Sequence, residues 1–204
     1  MFKNEYSSKL LSGAVESLST LPGVGRKSAL RLALHLLEEP TINVEKFAKT
    51  IVDFRNNIKF CPQCNMLSDD GICPFCNDSK RDHTIVCVVE SHSDVLSIEN
   101  TGQYKGLYHV LGGIISPIDG VGPADLKIKE LAERVASGLV SEVILALSTS
   151  MEGETTSYFI SRQLKPYNVK LSTIARGVGF GDDLEYTDEL TLGRSITNRQ
   201  PFIF

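Results

Sequence analysis

The sequence predicts an α+β protein of several modules: a helical amino-terminal module, a small four-cysteine finger, an α/β domain with a parallel sheet, and a carboxyl-terminal arm. Three observations predict it. Residues 8–20 and 26–38 carry apolar side chains at helical spacing, four cysteines crowd into residues 61–76, and from Thr84 onward β-branched runs alternate with helical patterns. The module boundaries that follow are 1–58, 59–80, 81–170 and 171–204.

The first helix presents Leu10, Leu11, Val15 and Leu18 on one face, and the second presents Leu30, Ala33, Leu34 and Leu37. "LPGVG" joins them, and a third helix is expected from Val44 to Asn57, after the break at Pro40. Beyond the finger, "TIVCVV" reads as a strand, "HSDVLSIEN" as a helix and "GLYHVL" as a strand. A Gly/Pro-rich loop precedes the helix "ADLKIKELAERVAS", then the strand "EVILAL", a helix continuing through "ETTSYFISRQLKPY" and the strand "VKLSTIA". The tail, residues 177–204, is Gly-rich, then acidic, and ends in "PFIF".

A chain of 204 residues that is 42% hydrophobic can bury a substantial core. No apolar run approaches the roughly 18 residues of a membrane span, and the polar start "MFKNEYSSK" lacks the apolar region of a signal peptide, so a cytoplasmic location is expected. The net charge of −4 does not point to nucleic acid, but its distribution does. Residues 1–60 hold nine Lys and Arg against six Asp and Glu, whereas residues 61–204 hold twelve against nineteen. A basic head and an acidic body suit different partners.

The sharpest motif is "CPQCNMLSDDGICPFC", in which Cys61, Cys64, Cys73 and Cys76 form two C-x2-C turns. Each turn aims two thiolates at one point, and two turns complete a tetrahedron of soft sulfur donors that suits one zinc ion. Such a site is closed and structural. Disulfides are the alternative, and a chain without a secretory signal argues against them. Cys87, inside "IVCVV", reads as a small buried hydrophobe.

In "LPGVGRKSALRLALHLL", Gly23 and Gly25 allow close backbone approach, and the helix that starts there offers unpaired N–H groups to an anion. Lys27 and Arg31 lie four apart on one face. This is how a helix-hairpin-helix holds a DNA backbone without reading bases. "GVGFG", residues 177–181, is followed by Asp182 and Asp183 rather than a lysine and a helix start, and reads as a turn. His35, His83, His92 and His109 lack metal-ligand spacing among themselves.

"VILALSTSMEGETT", residues 143–156, ends a buried strand in Ser148, Ser150, Glu152 and Glu154. Parallel strands deliver functional groups at their carboxyl ends, and "TIVCVV" ends in Glu90 with Asp94 shortly after. These four acids, Glu90, Asp94, Glu152 and Glu154, are expected to lie together with no obvious basic neighbour among them, either as evenly solvated surface acids or as a docking surface.

Taken in order, "LPGVGRKSALRLALHLL", the four-cysteine finger, "VCVVESHSDVLSIENTGQYKGLYHVLGGIISPIDGVGP", "EVILALSTSMEGETTSYFI" and "GDDLEYTDELTL" closely resemble the RecR family of bacterial recombination mediators over nearly the whole chain. The resemblance implies a helix-hairpin-helix module, a zinc finger, a Toprim domain and a carboxyl-terminal arm. It implies a homo-oligomer, from dimer to ring-like tetramer, that clamps gapped, single- or double-stranded DNA without sequence preference. It further implies work with RecO and RecF, near the nucleoid, in loading recombinase onto DNA coated by single-strand-binding protein, with Glu90, Asp94, Glu152 and Glu154 at the positions of the acids that recruit RecO. The tail "ITNRQPFIF" is then expected either to cross between subunits or to pack locally.

Thr173 and Gly179 stand where members of that family usually have Arg and Pro, which puts any contact of that Arg in doubt. In catalytic Toprim domains a glutamate ends the first strand and a D-x-D pair on a later strand holds magnesium. Glu90 matches the glutamate, while Ser148 and Ser150 fall where the aspartates would be, and hydroxyls attract magnesium far less than carboxylates. The resemblance therefore implies a non-enzymatic adaptor. The competing reading is a metal-dependent nuclease or primase with Glu90, Asp94 and Glu152 around one ion.

Overall fold

The helical head is built on an economy of side-chain size. The computed structural model describes Tyr6 and residues 8–179, 181–199 and 201, and the chain divides into two units, Met1–Ile58 and Lys59–Phe204. In the first unit, α1 (Lys9–Ser19) starts at Ser8, whose Oγ accepts the Leu11 N–H at 3.3 Å, and α2 spans Arg26–Glu38. Val15, Ala29 and Ala33 are buried between them, with Leu11, Leu18, Val24 and Leu30 packed around. The seam differs from the expected one: Leu10, Leu34 and Leu37 are exposed. Periodicity counts favour large side chains, whereas two helices joined by a tight turn approach most closely through alanines. Burying Val15 stabilises the pair by roughly 1.5–3 kcal/mol.

Helix α3 runs Thr41–Asn57, starting three residues before the expected Val44. Pro40 caps it, its carbonyl accepting the Asn43 N–H at 2.8 Å, so the proline begins the helix directly.

The second unit opens with the finger: β1 (Lys59–Phe60) pairs antiparallel with β2 (Leu67–Ser68), and α4 spans Pro74–Asn77. Then come β3 (Asp82–Val89), α5 (His92–Asn100), β4 (Gly106–Val110), a 3-10 turn at Pro123–Asp125, α6 (Ile128–Ala136), β5 (Glu142–Leu145), α7 (Met151–Leu164) and β6 (Lys170–Thr173). The four strands form one parallel sheet ordered β4-β3-β5-β6, with Cys87 opposite Tyr108 on one side and Ile144 on the other. A second 3-10 turn, Leu184–Tyr186, and α8 (Glu189–Thr197) follow. Among the described residues no helix is long and apolar enough to cross a membrane.

Strand alternation divides the core. Val86, Val88, Val143 and Leu145 join Leu131, Val135, Ile160 and Leu164 on the face covered by α6 and α7. Cys87, Val89, Tyr108 and Val110 face the other way, where Val95 and all four finger cysteines complete a second core. Cys87 is buried as its apolar run predicts, and burial pushes its thiol up to about 12. The finger is thus part of the wall of the sheet. Arg81 fastens it: its guanidinium reaches Glu99 at 2.6 and 2.9 Å and lies 4.8 Å from the Phe75 ring, and the Tyr108 hydroxyl donates to Glu99 at 2.6 Å.

Candidate functional site

Three sites stand out, and the finger is the most complete. The Sγ atoms of Cys61, Cys64, Cys73 and Cys76 all lie within 4.8 Å of one another, and those of Cys64 and Cys73 are 3.4 Å apart. A tetrahedron with zinc–sulfur bonds of about 2.3 Å has sulfur–sulfur edges of roughly 3.8 Å, so the donor set fits one zinc per chain. Local backbone bonds build the first turn: Cys61 N–H donates to Met66 O at 2.7 Å and Asn65 N–H to Cys61 O at 2.8 Å, with Asn65 in the left-handed region at φ 60°. Hydrogen bonding from the Cys64 thiol holds Cys73 well below the usual thiol range, and the same contact raises Cys64. A dication would draw all four toward thiolate. Val110 N–H donates to Cys64 O at 2.8 Å, which docks the turn onto the end of β4.

The hairpin of the first unit is made by the turn between α1 and α2. Val24 N–H donates to Leu21 O at 3.1 Å, and Gly23 has φ +77°, a conformation that disfavours side chains. Gly25 is the N-cap of α2 and, having no side chain, makes no side-chain cap hydrogen bond. Lys27 and Arg31 are exposed one turn apart, and neither forms an ion pair among the described residues.

The third site is the carboxyl edge of the sheet. Glu90 follows β3 directly, and its Oε1 accepts the Ser148 N–H at 2.5 Å. Asp94 is the N3 residue of α5, with Oδ2 accepting both the Ser91 N–H and hydroxyl at 2.8 Å. Glu90, Asp94, Ser148 and Ile174 line a shared cleft of about 330 Å³. Glu152 and Glu154 lie in the first turn of α7, where the helix dipole favours acids, and Ser150 caps that helix by accepting the Gly153 N–H at 3.1 Å.

The expectation that these acids have no basic neighbour is overturned. Arg176, just beyond β6, forms an ion pair with Glu154, so that carboxylate is already compensated. Sequence reasoning passed over Arg176, although its place after the strand beside β5 was the available signal.

Among the described residues the four cysteines are the one group of three or more His, Cys, Asp and Glu side chains placed to share a metal, so Glu90, Asp94 and Glu152 do not converge in that way. Each histidine has a local partner: His35 sits 3.8 Å from Glu39, and His83, His92 and His109 bond the carbonyls of Asp78, Asn65 and Lys127. "GVGFG" is followed by a turn rather than a helix start, with Asp182 accepting the Gly179 N–H at 3.1 Å. Phe202 to Phe204, on which the expectation for the tail rests, lie outside the described residues.

Four family matches cover these regions in order. Residues 11–55 match the helix-hairpin-helix of RecR, 58–78 its four-cysteine zinc finger domain, 84–175 the Toprim domain and 177–200 the RecR C-terminal region. The chain is 57% identical over 198 residues to Recombination protein RecR of Porphyromonas gingivalis, covering 97% of this chain and 96% of that protein. It is 56% identical to the protein of the same name from Bacteroides fragilis, covering 97% of each, and 53% identical to that of Flavobacterium johnsoniae, covering 97% and 96%.

Proposed function

The chain belongs to the RecR family, and from that premise we propose that it is a non-enzymatic DNA clamp and adaptor in recombinational repair, acting with RecO and RecF to help load recombinase onto gapped or single-stranded DNA. The observation that carries this reading is the bond between Glu90 and Ser148. The carboxylate that a catalytic Toprim site would give to magnesium is spent on the backbone of the strand that would carry the other ligands, and that strand ends in hydroxyls. A two-metal phosphoryl transfer has no donor set there.

In this reading residues 1–58 grip DNA through Gly23, Gly25, Lys27 and Arg31, 59–80 form the zinc finger, 81–170 the Toprim domain and 171–204 the arm. One hairpin reaches few phosphates, so useful affinity comes from several copies on one DNA, as a dimer or a ring-like tetramer in the cytoplasm. Glu90, Asp94 and Glu152 receive the basic partner RecO, with Glu154 contributing less because Arg176 compensates it.

The experiment is a comparison on gapped DNA coated with single-strand-binding protein. Recombinase filament formation should require the chain together with RecO, and DNA incubated with magnesium and the chain alone should stay intact. Magnesium-dependent cleavage or synthesis that Glu90→Gln abolishes would overturn the adaptor reading in favour of the metalloenzyme.

A further inference from the structure

Between β4 and α6 the chain makes a small hairpin whose tip is apolar. Ser116 and Val121 exchange two backbone hydrogen bonds, of 3.0 and 2.9 Å. Asp119 N–H returns to Ser116 O at 3.1 Å, the Ser116 hydroxyl donates to Asp119 Oδ2 at 2.6 Å, and Gly120 takes a left-handed φ of +74°. Pro117 suits the second position of such a turn, and the third position of a type I turn accepts most residues. Here it holds Ile118, which is 91% exposed. Single exposed apolar residues are ordinary on loops. Ile118 differs in being a large apolar side chain held out at the tip of a turn by a fixed set of hydrogen bonds.

The hairpin is tied to the acidic edge. Ile115, at its base, donates its N–H to Thr156 Oγ1 at 2.9 Å, and Thr156 Oγ1 donates to the Glu152 carbonyl at 2.7 Å, both side chains being buried. The position of Ile118 is therefore set relative to the first turn of α7. That turn begins with Met151, 82% exposed, directly before Glu152. Because the sheet is parallel, the segments after β3, β4 and β5 all emerge at the same edge, which places Glu90, the hairpin and Met151–Glu152 on one surface.

We propose that Ile118, supported by Met151, is the apolar anchor of this acidic docking surface, and that the partner presents an apolar socket rimmed by Lys and Arg. The inference rests on the docking reading above and adds what that reading lacks, a source of affinity. Carboxylates around a half-solvated edge raise association rate and fix orientation, but a pre-positioned apolar side chain entering a socket slows dissociation. The held turn removes part of the ordering cost that a mobile loop would meet on binding.

The test is binding kinetics against the RecO protein of the same organism at low and moderate salt. Ile118→Ser should accelerate dissociation about tenfold or more at every salt concentration, since burying an isoleucine is worth that much and is unscreened. Glu152→Lys should instead slow association, with an effect that shrinks as salt rises. Gly120→Val keeps Ile118 but disfavours the turn, and should give an intermediate loss. Thermal melting of Ile118→Ser should match the wild type, because the side chain is in solvent. Binding of Ile118→Ser within twofold of wild type overturns the anchor and leaves the acidic docking surface standing. Absence of wild-type binding overturns both, and a changed oligomer mass for Ile118→Ser overturns the proposed occupant in favour of a second copy of the chain.

Discussion

Glu90 and Ser148 join the ends of β3 and β5 through a side-chain-to-backbone hydrogen bond of 2.5 Å across 58 residues of sequence. The two strands pair in register from Ile85 with Glu142 to Val88 with Leu145, and Ala146 N–H still reaches Val88 O at 2.9 Å. Beyond that point the ladder stops and the Glu90 carboxylate continues it. Charge-assisted bonds of this kind contribute about 1.5–3 kcal/mol when buried, and less at a half-exposed edge. Glu90→Ala should therefore cost about 1 kcal/mol in urea unfolding, and Glu90→Gln, which keeps an acceptor oxygen, about half of that. An unchanged unfolding free energy for Glu90→Ala would show that the bond contributes nothing.

Metal and sheet share one core, so zinc should matter beyond the finger. Freshly purified protein should contain one zinc per chain. Cys61→Ser or strong chelation should lower the melting temperature of the Lys59–Phe204 unit by about 10 °C or more, since metal affinity in such sites is folding free energy. Hydrogen exchange separates the possibilities: protection should fall at Tyr108 and Val110 in β4 as well as in residues 59–80. Loss confined to the finger would contradict the shared core.

Much of the architecture was legible because it follows from local rules. Alternation of apolar runs with helical patterns gave the parallel sheet, and the cysteine spacing gave the metal site. What stayed hidden depends on long-range contacts. Nothing in "CPQCNMLSDDGICPFC" says that its sulfurs pack beneath Tyr108 and Val110, and the order β4-β3-β5-β6 is a packing outcome. Helix α8 was missed for a different reason: Gly193 interrupts its pattern, although Asp188, which accepts the Thr191 N–H at 2.9 Å, was a readable N-cap. Arg176 was overlooked because its partner lies 22 residues away in sequence.

Lys27 and Arg31 stand exposed on α2, whose N-cap Gly25 makes no side-chain cap hydrogen bond. Lys27→Ala and Arg31→Ala should each weaken binding about equally on unrelated DNA sequences. Each lost phosphate contact should reduce the salt slope of affinity by about 0.9 per chain engaged. Filter binding or anisotropy over a salt series measures this, and an unchanged slope in the double variant would move the DNA interface elsewhere.

Acid sensitivity has an identifiable contributor in His109. It is buried, its Nε2 lies 2.7 Å from Lys127 O, and burial pushes its pKa down from 6.5 to about 4. The unfolded chain takes up this proton near pH 6.5 and the folded chain does not. The stability is therefore fully present above pH 6.5 and is lost progressively as pH falls toward 4, by up to about 3 kcal/mol. His109→Gln keeps a donor for Lys127 O and does not titrate. Its unfolding free energy should fall less steeply over that window, by up to one proton per chain, after the response of the cysteines common to both proteins is subtracted.

The ion pair of Arg176 with Glu154 sets the sign of the last prediction. Of the four acids at the carboxyl edge, Glu154 is the one with an ion pair among the described residues, and about half of its side chain is in solvent. A basic partner approaching this edge meets the full charge of Glu152 but a nearly neutral pair at Glu154. Arg176→Ala releases one negative charge and removes one positive charge from the surface, so the partner's association rate should rise, by a few-fold at low salt, and converge on wild type as the Debye length shortens. Glu154→Ala leaves Arg176 uncompensated, a change of one positive charge, and should slow association about as much as Glu152→Ala. The cost to stability should be small for both, about 1 kcal/mol or less, as for partly exposed pairs in general. Stopped-flow association with RecO at two salt concentrations reads the ordering directly. A fall in rate for Arg176→Ala would mean that the arginine itself touches the partner.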